Sequence, residues 1–339
     1  MSPTSGPGTA VRRAEVDGVP ALWADLAVDP VTTLFFGAGY EDTTPAAAGI
    51  THLVEHLVMR RVGRVRYTVN AESTLRSTSF FVVGTPDQTV DFLARVCAAV
   101  RDLADVRDED LEAERRTILT EIGGPGIYAT ADPLSVRFGP HGVGAPVVTH
   151  ARLLDWTADE VRATARTWFH AGNAALVSTR PLPEGVRLDL PPARPVERAP
   201  VPEPVLDGRV WAELPYPAVQ LSGLVGVADG VTRQLASFVL SDVLSESLRA
   251  ATGDVYSVEA QGLLLDAHRE LVGIDLDPEP DRLLDVLGRA LDVVDRLATD
   301  GPTADELDFT RDVAVHELSL ASVQAGWLDT AASHLLRGI

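Results

Sequence analysis

Two stretches of this chain are written twice. Tyr67-Thr-Val-Asn-Ala-Glu72 returns as Tyr256-Ser-Val-Glu-Ala-Gln261. Leu111-Glu-Ala-Glu-Arg-Arg-Thr-Ile-Leu-Thr-Glu-Ile122 returns as Leu307-Asp-Phe-Thr-Arg-Asp-Val-Ala-Val-His-Glu-Leu318. The offsets, 189 and 196 residues, are close, and the order is the same. A pattern repeated at that distance constrains the chain to two copies of one architecture. Between the copies, six prolines in the fourteen residues Pro191 to Pro204 read as an extended linker. The expected division is a disordered tail at 1–10, a first domain at 11–190, a linker at 191–208 and a second domain at 209–339.

Within the first copy, strand and helix patterns alternate. Val11 to Leu26 alternates around Asp17-Gly18, a hairpin signal. Val31 to Gly39 reads as a buried strand leading into a loop, and Val65–Thr74 and Ser77–Gly84 read as two strands. Pro86–Leu103 and Arg107–Ile122 read as helices, the second closed by Gly123-Gly124-Pro125. Thr157-Ala-Asp-Glu160 opens another as a capping box, and Ala174–Ser178 is a short strand. The pattern implies an α+β fold of two homologous αβ sandwich domains, each a sheet with helices on one face. The second copy stops 22 residues after Glu317, before any closing helix and strand like those that end at Ser178. It is expected to be truncated, or to be completed by another chain.

One feature is not duplicated. In Gly49-Ile-Thr-His-Leu-Val-Glu-His-Leu-Val-Met59, apolar residues recur at helical spacing. His52 and His56 then stack one turn apart, with Glu55 beside them. Two imidazoles at that spacing can grip one metal ion, and a neighbouring carboxylate can take a proton from its water. The pattern H-x-x-E-H is the inverse of the H-E-x-x-H zinc motif. Read alone, it also fits an amphipathic helix with two solvated imidazoles. A third ligand would come from Glu114 or Glu121, two turns apart on a partly buried helix face with Ile118. Two solvated helix acids are the plainer alternative there.

The bulk numbers narrow the class of partner. The formal net charge is −20, and all 29 basic residues are arginine. Such a surface excludes a nucleic-acid binder. No apolar run is long enough to span a membrane, and the N-terminus lacks the basic and apolar regions of a signal peptide. The one cysteine, Cys97, lies in an apolar segment and permits no disulfide framework. A cytoplasmic protein is the expectation.

Taken together, these residues resemble the pitrilysin–insulinase zinc peptidases, the inverzincins, and most of all their bacterial members similar to the mitochondrial processing peptidase. The resemblance covers nearly the whole chain. It is carried by Gly49-x-x-His-x-x-Glu-His56, Asn70-Ala71, Glu114-Arg-x-x-x-x-x-Glu121, Phe138-Gly-Pro-His-Gly-Val-Gly-Ala-Pro146, and Arg249 with Tyr256 in Leu248–Ser257. It implies that His52, His56 and Glu121 hold one Zn2+ per chain and that Glu55 is the general base. Glu114 would orient the site. Asn70 and Ala71 would lie on an edge strand that takes an unfolded peptide as a further strand. Arg249 and Tyr256 would reach the substrate from the second domain. The implied activity is endopeptidase cleavage of unfolded peptides or leader segments, by a homodimer or by a heterodimer with a homologous subunit. The rival reading is a non-catalytic or partner-dependent subunit. The chain departs from the family in a short link from Met59 to Thr68, crowded by Arg60, Arg61, Arg64 and Arg66, where acidic peptide ends could be met.

Overall fold

Asp17 and Gly18 both take positive φ, 50° and 83°. That is the turn geometry that matches the twist of a tight hairpin, here between β1 (Arg12–Val16) and β2 (Val19–Trp23). The computed structural model describes residues 10–121, 127–128, 133–145, 148–149, 152–206, 218–227 and 230–339. The expected tail, the Gly123–Pro125 helix stop, Pro146 and the last two linker residues lie outside them, apart from residue 10. β3 (Val31–Phe36) is apolar and buried along most of its length.

α1 (Ile50–Val62) is bounded by two glycines at positive φ, Gly49 (88°) and Gly63 (71°). A side chain would be strained at either position. β4 (Thr68–Ser73) and β5 (Thr78–Val83) form the next hairpin. α2 (Pro86–Asp102) starts on a Thr85–Gln88 capping box, and α3 (Asp108–Glu121) on three acids that favour its N-terminal dipole. β6 (Ile127–Tyr128) and β7 (Val148–Thr149) make a two-residue ribbon around α4 (Pro133–Phe138). α5 (Ala158–Trp168) opens on the Thr157–Glu160 box, and β8 (Ala174–Ser178) follows.

The sheet order is β1-β2-β8-β3-β5-β4, which leaves β4 at an edge. One face packs under α1, α2, α3 and α5 through a core that includes Leu34, Phe36, Leu53, Leu57, Phe80, Phe92, Ile118 and Val161. Cys97 is part of this core.

The second copy comprises β9 (Val219–Gly226), α6 (Gly230–Leu244), a π-helical turn (Ser245–Ala250), β10 (Val255–Leu264), β11 (Arg269–Pro278), α7 (Leu283–Asp300) and α8 (Ala304–Ser319). Its sheet runs β10-β11-β9. That is the order of β4-β5-β3, and the repeated motifs fall on matching elements, β4 with β10 and α3 with α8. A core of Leu244, Leu248, Ile274, Leu276, Val286 and Ala290 joins this sheet to its helices.

The chain divides into two compact units. One holds residues 1–129, 138–202 and 320–339; the other holds 130–137 and 203–319. The halves are therefore not simply consecutive. The last helix, α9 (Ala321–Arg337), packs on β8, β2 and β3 of the first unit. It covers the face opposite the other helices, with Leu328 and Ala332 against Leu22, Phe35, Ala175 and Val177. This corrects the expectation of helices on one face only. Leu22, Phe35 and Val177 make the second face of the first sheet apolar too, so it also needs a cover. The residues after Glu317 meet that need instead of closing the second sheet.

Charged groups fix α9 in place. Arg337 meets both oxygens of Asp42, at 2.8 and 2.5 Å, and Glu41 at 2.5 Å. Arg198, from the proline-rich segment, meets Asp42 at 2.6 Å and the carbonyl of Leu336 at 3.0 Å. Arg76 meets Glu41 at 3.2 Å. All five side chains are nearly buried.

Candidate metal centre

α1 presents the motif as its period requires. Leu53, Val54, Leu57 and Val58 are fully buried under the sheet, which turns His52, Glu55 and His56 towards β4 and α3. His52 Nε2 and His56 Nε2 are 3.1 Å apart. From the end of α3, Glu121 brings one oxygen within 3.6 Å of His52 Nε2 and the other within 3.2 Å of His56 Nε2. Ligands about 2.1 Å from a tetrahedral ion stand about 3.4 Å from one another. The three side chains therefore fit the edges of such a site, and two neutral imidazoles with one carboxylate suit zinc chemistry. Among the described residues this is the group of His, Cys, Asp and Glu that could hold an ion.

Glu114, two turns before Glu121, does not join the ligands. Its Oε2 meets His56 Nδ1 at 3.3 Å, and its Oε1 meets Arg60 Nη1 at 2.8 Å. Burial would raise its pKa, but the bonds to His56 and Arg60 outweigh burial and hold it low. At His56 burial works to lower the pKa; the Glu114 bond and the charges of Glu55 and Glu121 prevail and raise it. Glu114 thus fixes the ring through Nδ1 and leaves Nε2 aimed at the site, the arrangement by which outer carboxylates orient metal-bound histidines.

Glu55 is 8% exposed, and its Oε2 has no hydrogen-bond partner among the described residues. Burial pushes its carboxyl up to about 7, against a hydroxyl bond from Ser73 and the charge of His56; Glu121 and Glu72 push it the same way as burial. Ser73 Oγ also lies 3.2 Å from Thr78 Oγ1, whose proton goes to the carbonyl of Ala38. Thr78 can then only accept from Ser73, so Glu55 and Thr78 share the single Ser73 hydroxyl proton. Tyr40 is buried nearby, and its phenol is held well above its usual range by burial and by the charges of Glu55, Glu121 and Glu72.

Of the other expected residues, Asn70 and Ala71 lie on the edge strand β4, Asn70 exposed and Ala71 turned towards the helix side. Arg249 is exposed in the π-helical turn of the second unit, and Tyr256 is 80% exposed on β10. The sequence reading missed Ser73 and Tyr40, and gave Arg60 no role beside Glu114. Arg60 was legible as the residue one turn beyond His56. Ser73 was legible as the residue two beyond Ala71 on the same strand face. Tyr40 lies in a loop whose path only the folded chain defines. Arg60 and Arg61 are also corrected as peptide contacts, since they pair with Glu114 and Asp110.

No protein-family model and no curated protein matches the sequence. Solved structures do match. A peptidase M16 inactive domain from Pseudomonas fluorescens aligns with a TM-score of 0.70 at 16% identity, over 96% of this chain and 88% of that one. A protease from Helicobacter pylori aligns at 0.68 and 15%, over 98% and 90%. The periplasmic protease PqqL from Escherichia coli aligns at 0.69 and 14%, over 98% of this chain. The chain spans 43% of the length of PqqL. Identities this low speak to fold alone, and on that ground the chain has the α+β fold of the M16 peptidases.

Proposed function

We propose that the protein is a zinc-dependent endopeptidase acting on extended peptides. The observation that carries this reading is the set of His52, His56 and Glu121 at tetrahedral spacing beside a buried carboxyl, Glu55, that is not a ligand. A purely structural zinc site closes its fourth position and has no use for such a group. Zinc held there would polarise a peptide carbonyl and lower the pKa of water towards ~7. Glu55 Oε2, without a partner among the described residues, would accept the proton of the attacking water and return it to the leaving amine nitrogen. Ser73 would hold the carboxylate in place by its single hydroxyl proton.

The edge strand supports the choice of substrate. Thr74 N–H bonds the Ser77 carbonyl across the β4–β5 turn, at 2.8 Å. The alternation of an antiparallel pair then turns the N–H and C=O groups of Val69 and Ala71 away from β5. An extended peptide can add to that row as another strand. Arg249 and Tyr256, exposed in the second unit, are the proposed donors to substrate carbonyl oxygen.

The rival, a non-catalytic partner subunit, draws support from the Pseudomonas fluorescens neighbour, which is described as an inactive domain. Against it stand the three ligands and Glu55, all present here. The test is cleavage of a quenched, unstructured peptide by the purified chain, beside Glu55→Gln and a chelator-treated sample. Cleavage abolished by both is expected. No cleavage with one zinc bound per chain would favour the partner subunit, and no zinc bound would overturn the metal assignment.

A further inference from the structure

We propose that the free edge beside the metal site sorts peptides by the position of their acidic residues, with Arg64 and Arg66 taking a carboxylate remote from the cut bond. This rests on the peptidase reading above and names the substrate class of that same site. Of the four arginines around the α1–β4 link, two are spent, Arg60 on Glu114 and Arg61 on Asp110. Arg64 and Arg66 are exposed and have no ion pair or hydrogen bond among the described residues. Asp91 on α2, bonded to Tyr67, the residue after Arg66, is already held by that phenol at 2.5 Å and by Arg95 at 2.9 Å. Two exposed arginines with no acid of their own among the described residues leave a local positive patch in a chain of net charge −20, which an incoming acid can meet.

Both lie in the link just before the edge strand β4, and that place sets where the acid sits. Exposure alternates from Arg64 to Glu72, so Arg64, Arg66, Thr68, Asn70 and Glu72 all lie on the outward side. Ser73, bonded to Glu55, marks the reacting end of the strand. Arg66 precedes Ala71 by five residues and Ser73 by seven. A strand paired along β4 would run about 17 Å from Ser73 to Thr68, at ~3.3 Å per residue, and reach Arg66 just beyond that end. The reacting end carries the opposite sign. Glu72 is exposed there, Glu121 is half exposed, and Asp329 of α9 lies within reach of the charge on Glu72. An acidic residue is therefore repelled beside the cut and attracted about six residues away.

The test uses the zinc-loaded full chain and a set of neutral, unstructured peptides with one Asp-Asp pair moved along them. Cut sites are read by mass spectrometry and rates as kcat/KM, with binding to Glu55→Gln measured by anisotropy. A pair about six residues from the cut is expected to raise kcat/KM and affinity roughly three- to tenfold, the range for two exposed ion pairs. The gain should disappear at about 0.5 M salt, where such pairs are screened. A pair beside the cut should lower both. Arg64→Ser with Arg66→Ser should bring the ratio of acidic to neutral peptide to about one, and Arg64→Glu with Arg66→Glu should transfer the preference to Lys-Lys peptides. Cleavage that ignores the position of the acids, or a preference unchanged in the double variants, overturns this inference alone. Failure to bind or cleave any peptide overturns the peptidase reading with it.

Discussion

Glu55 has one oxygen unpartnered among the described residues, in a place where burial disfavours its charge. The raised pKa, about 7 against an ordinary 4.5, has a definite sign for stability. The cost of ionising the buried carboxyl is absent below the unfolded pKa and fully present above the folded one. In chelator-treated protein, Glu55→Gln should therefore unfold at higher denaturant than wild type at pH 8, by about 1–3 kcal/mol, and at the same denaturant near pH 4. Paired urea titrations at the two pH values check this. The same variant should have lost peptide cleavage, so stability and activity move in opposite directions at one residue. Glu114→Gln, which weakens the hold on His56 Nδ1, should loosen zinc binding ten- to a hundredfold without removing a ligand. Competition with a chromophoric chelator measures that change.

At the scale of elements, the loop before α1 is held from three directions. Gly39 lies so close to the β4–β5 turn that a Cβ would come within 2.2 Å of the Leu75 carbonyl. Tyr40 and Glu41 donate their N–H groups to the carbonyls of Thr74 and Leu75, at 3.1 and 2.9 Å. Asp42 and Glu41 then receive Arg198, Arg76 and Arg337. Removing Arg337 leaves each carboxylate its second arginine, Arg198 on Asp42 and Arg76 on Glu41, so the loss is one of charged hydrogen bonds, about 1.5–3 kcal/mol. Arg337→Met should destabilise the protein by that order. Hydrogen exchange should show α9 and residues 39–43 opening first, ahead of the helices on the other face.

For the whole molecule, the residues after Ser319 cross from one unit to complete the other. Leu328 and Ala332 shield Leu22, Phe35 and Val177, and each large apolar side chain so covered is worth about 1.5–3 kcal/mol. A chain ended at Ser319 should bind a hydrophobic dye, melt at lower temperature and aggregate. A synthetic peptide of residues 320–339 added in excess should reverse the dye binding, and calorimetry follows the recovery. If the shortened chain melts like the full one, α9 is an accessory and not part of the first core.

What the sequence determined by itself was local and periodic. Helical spacing put His52 and His56 on one face, and capping chemistry at Thr85 and Thr157 marked two helix starts. Alternation around Asp17-Gly18 marked the first hairpin, and the repeat of Tyr67–Glu72 and Leu111–Ile122 announced two copies of one topology. The pairing of Glu121 with the histidines, and of Glu114 with the ring behind them, was a two-turn spacing waiting for a partner. Tertiary structure decided the rest, because it depends on which surfaces meet. Only the folded chain brings Arg60 to Glu114 and Ser73 to Glu55, since nothing in a side chain's own neighbourhood says what lies across a helix packing. Only the folded chain sends α9 to the first sheet, because an amphipathic helix states that it needs an apolar face and not which one.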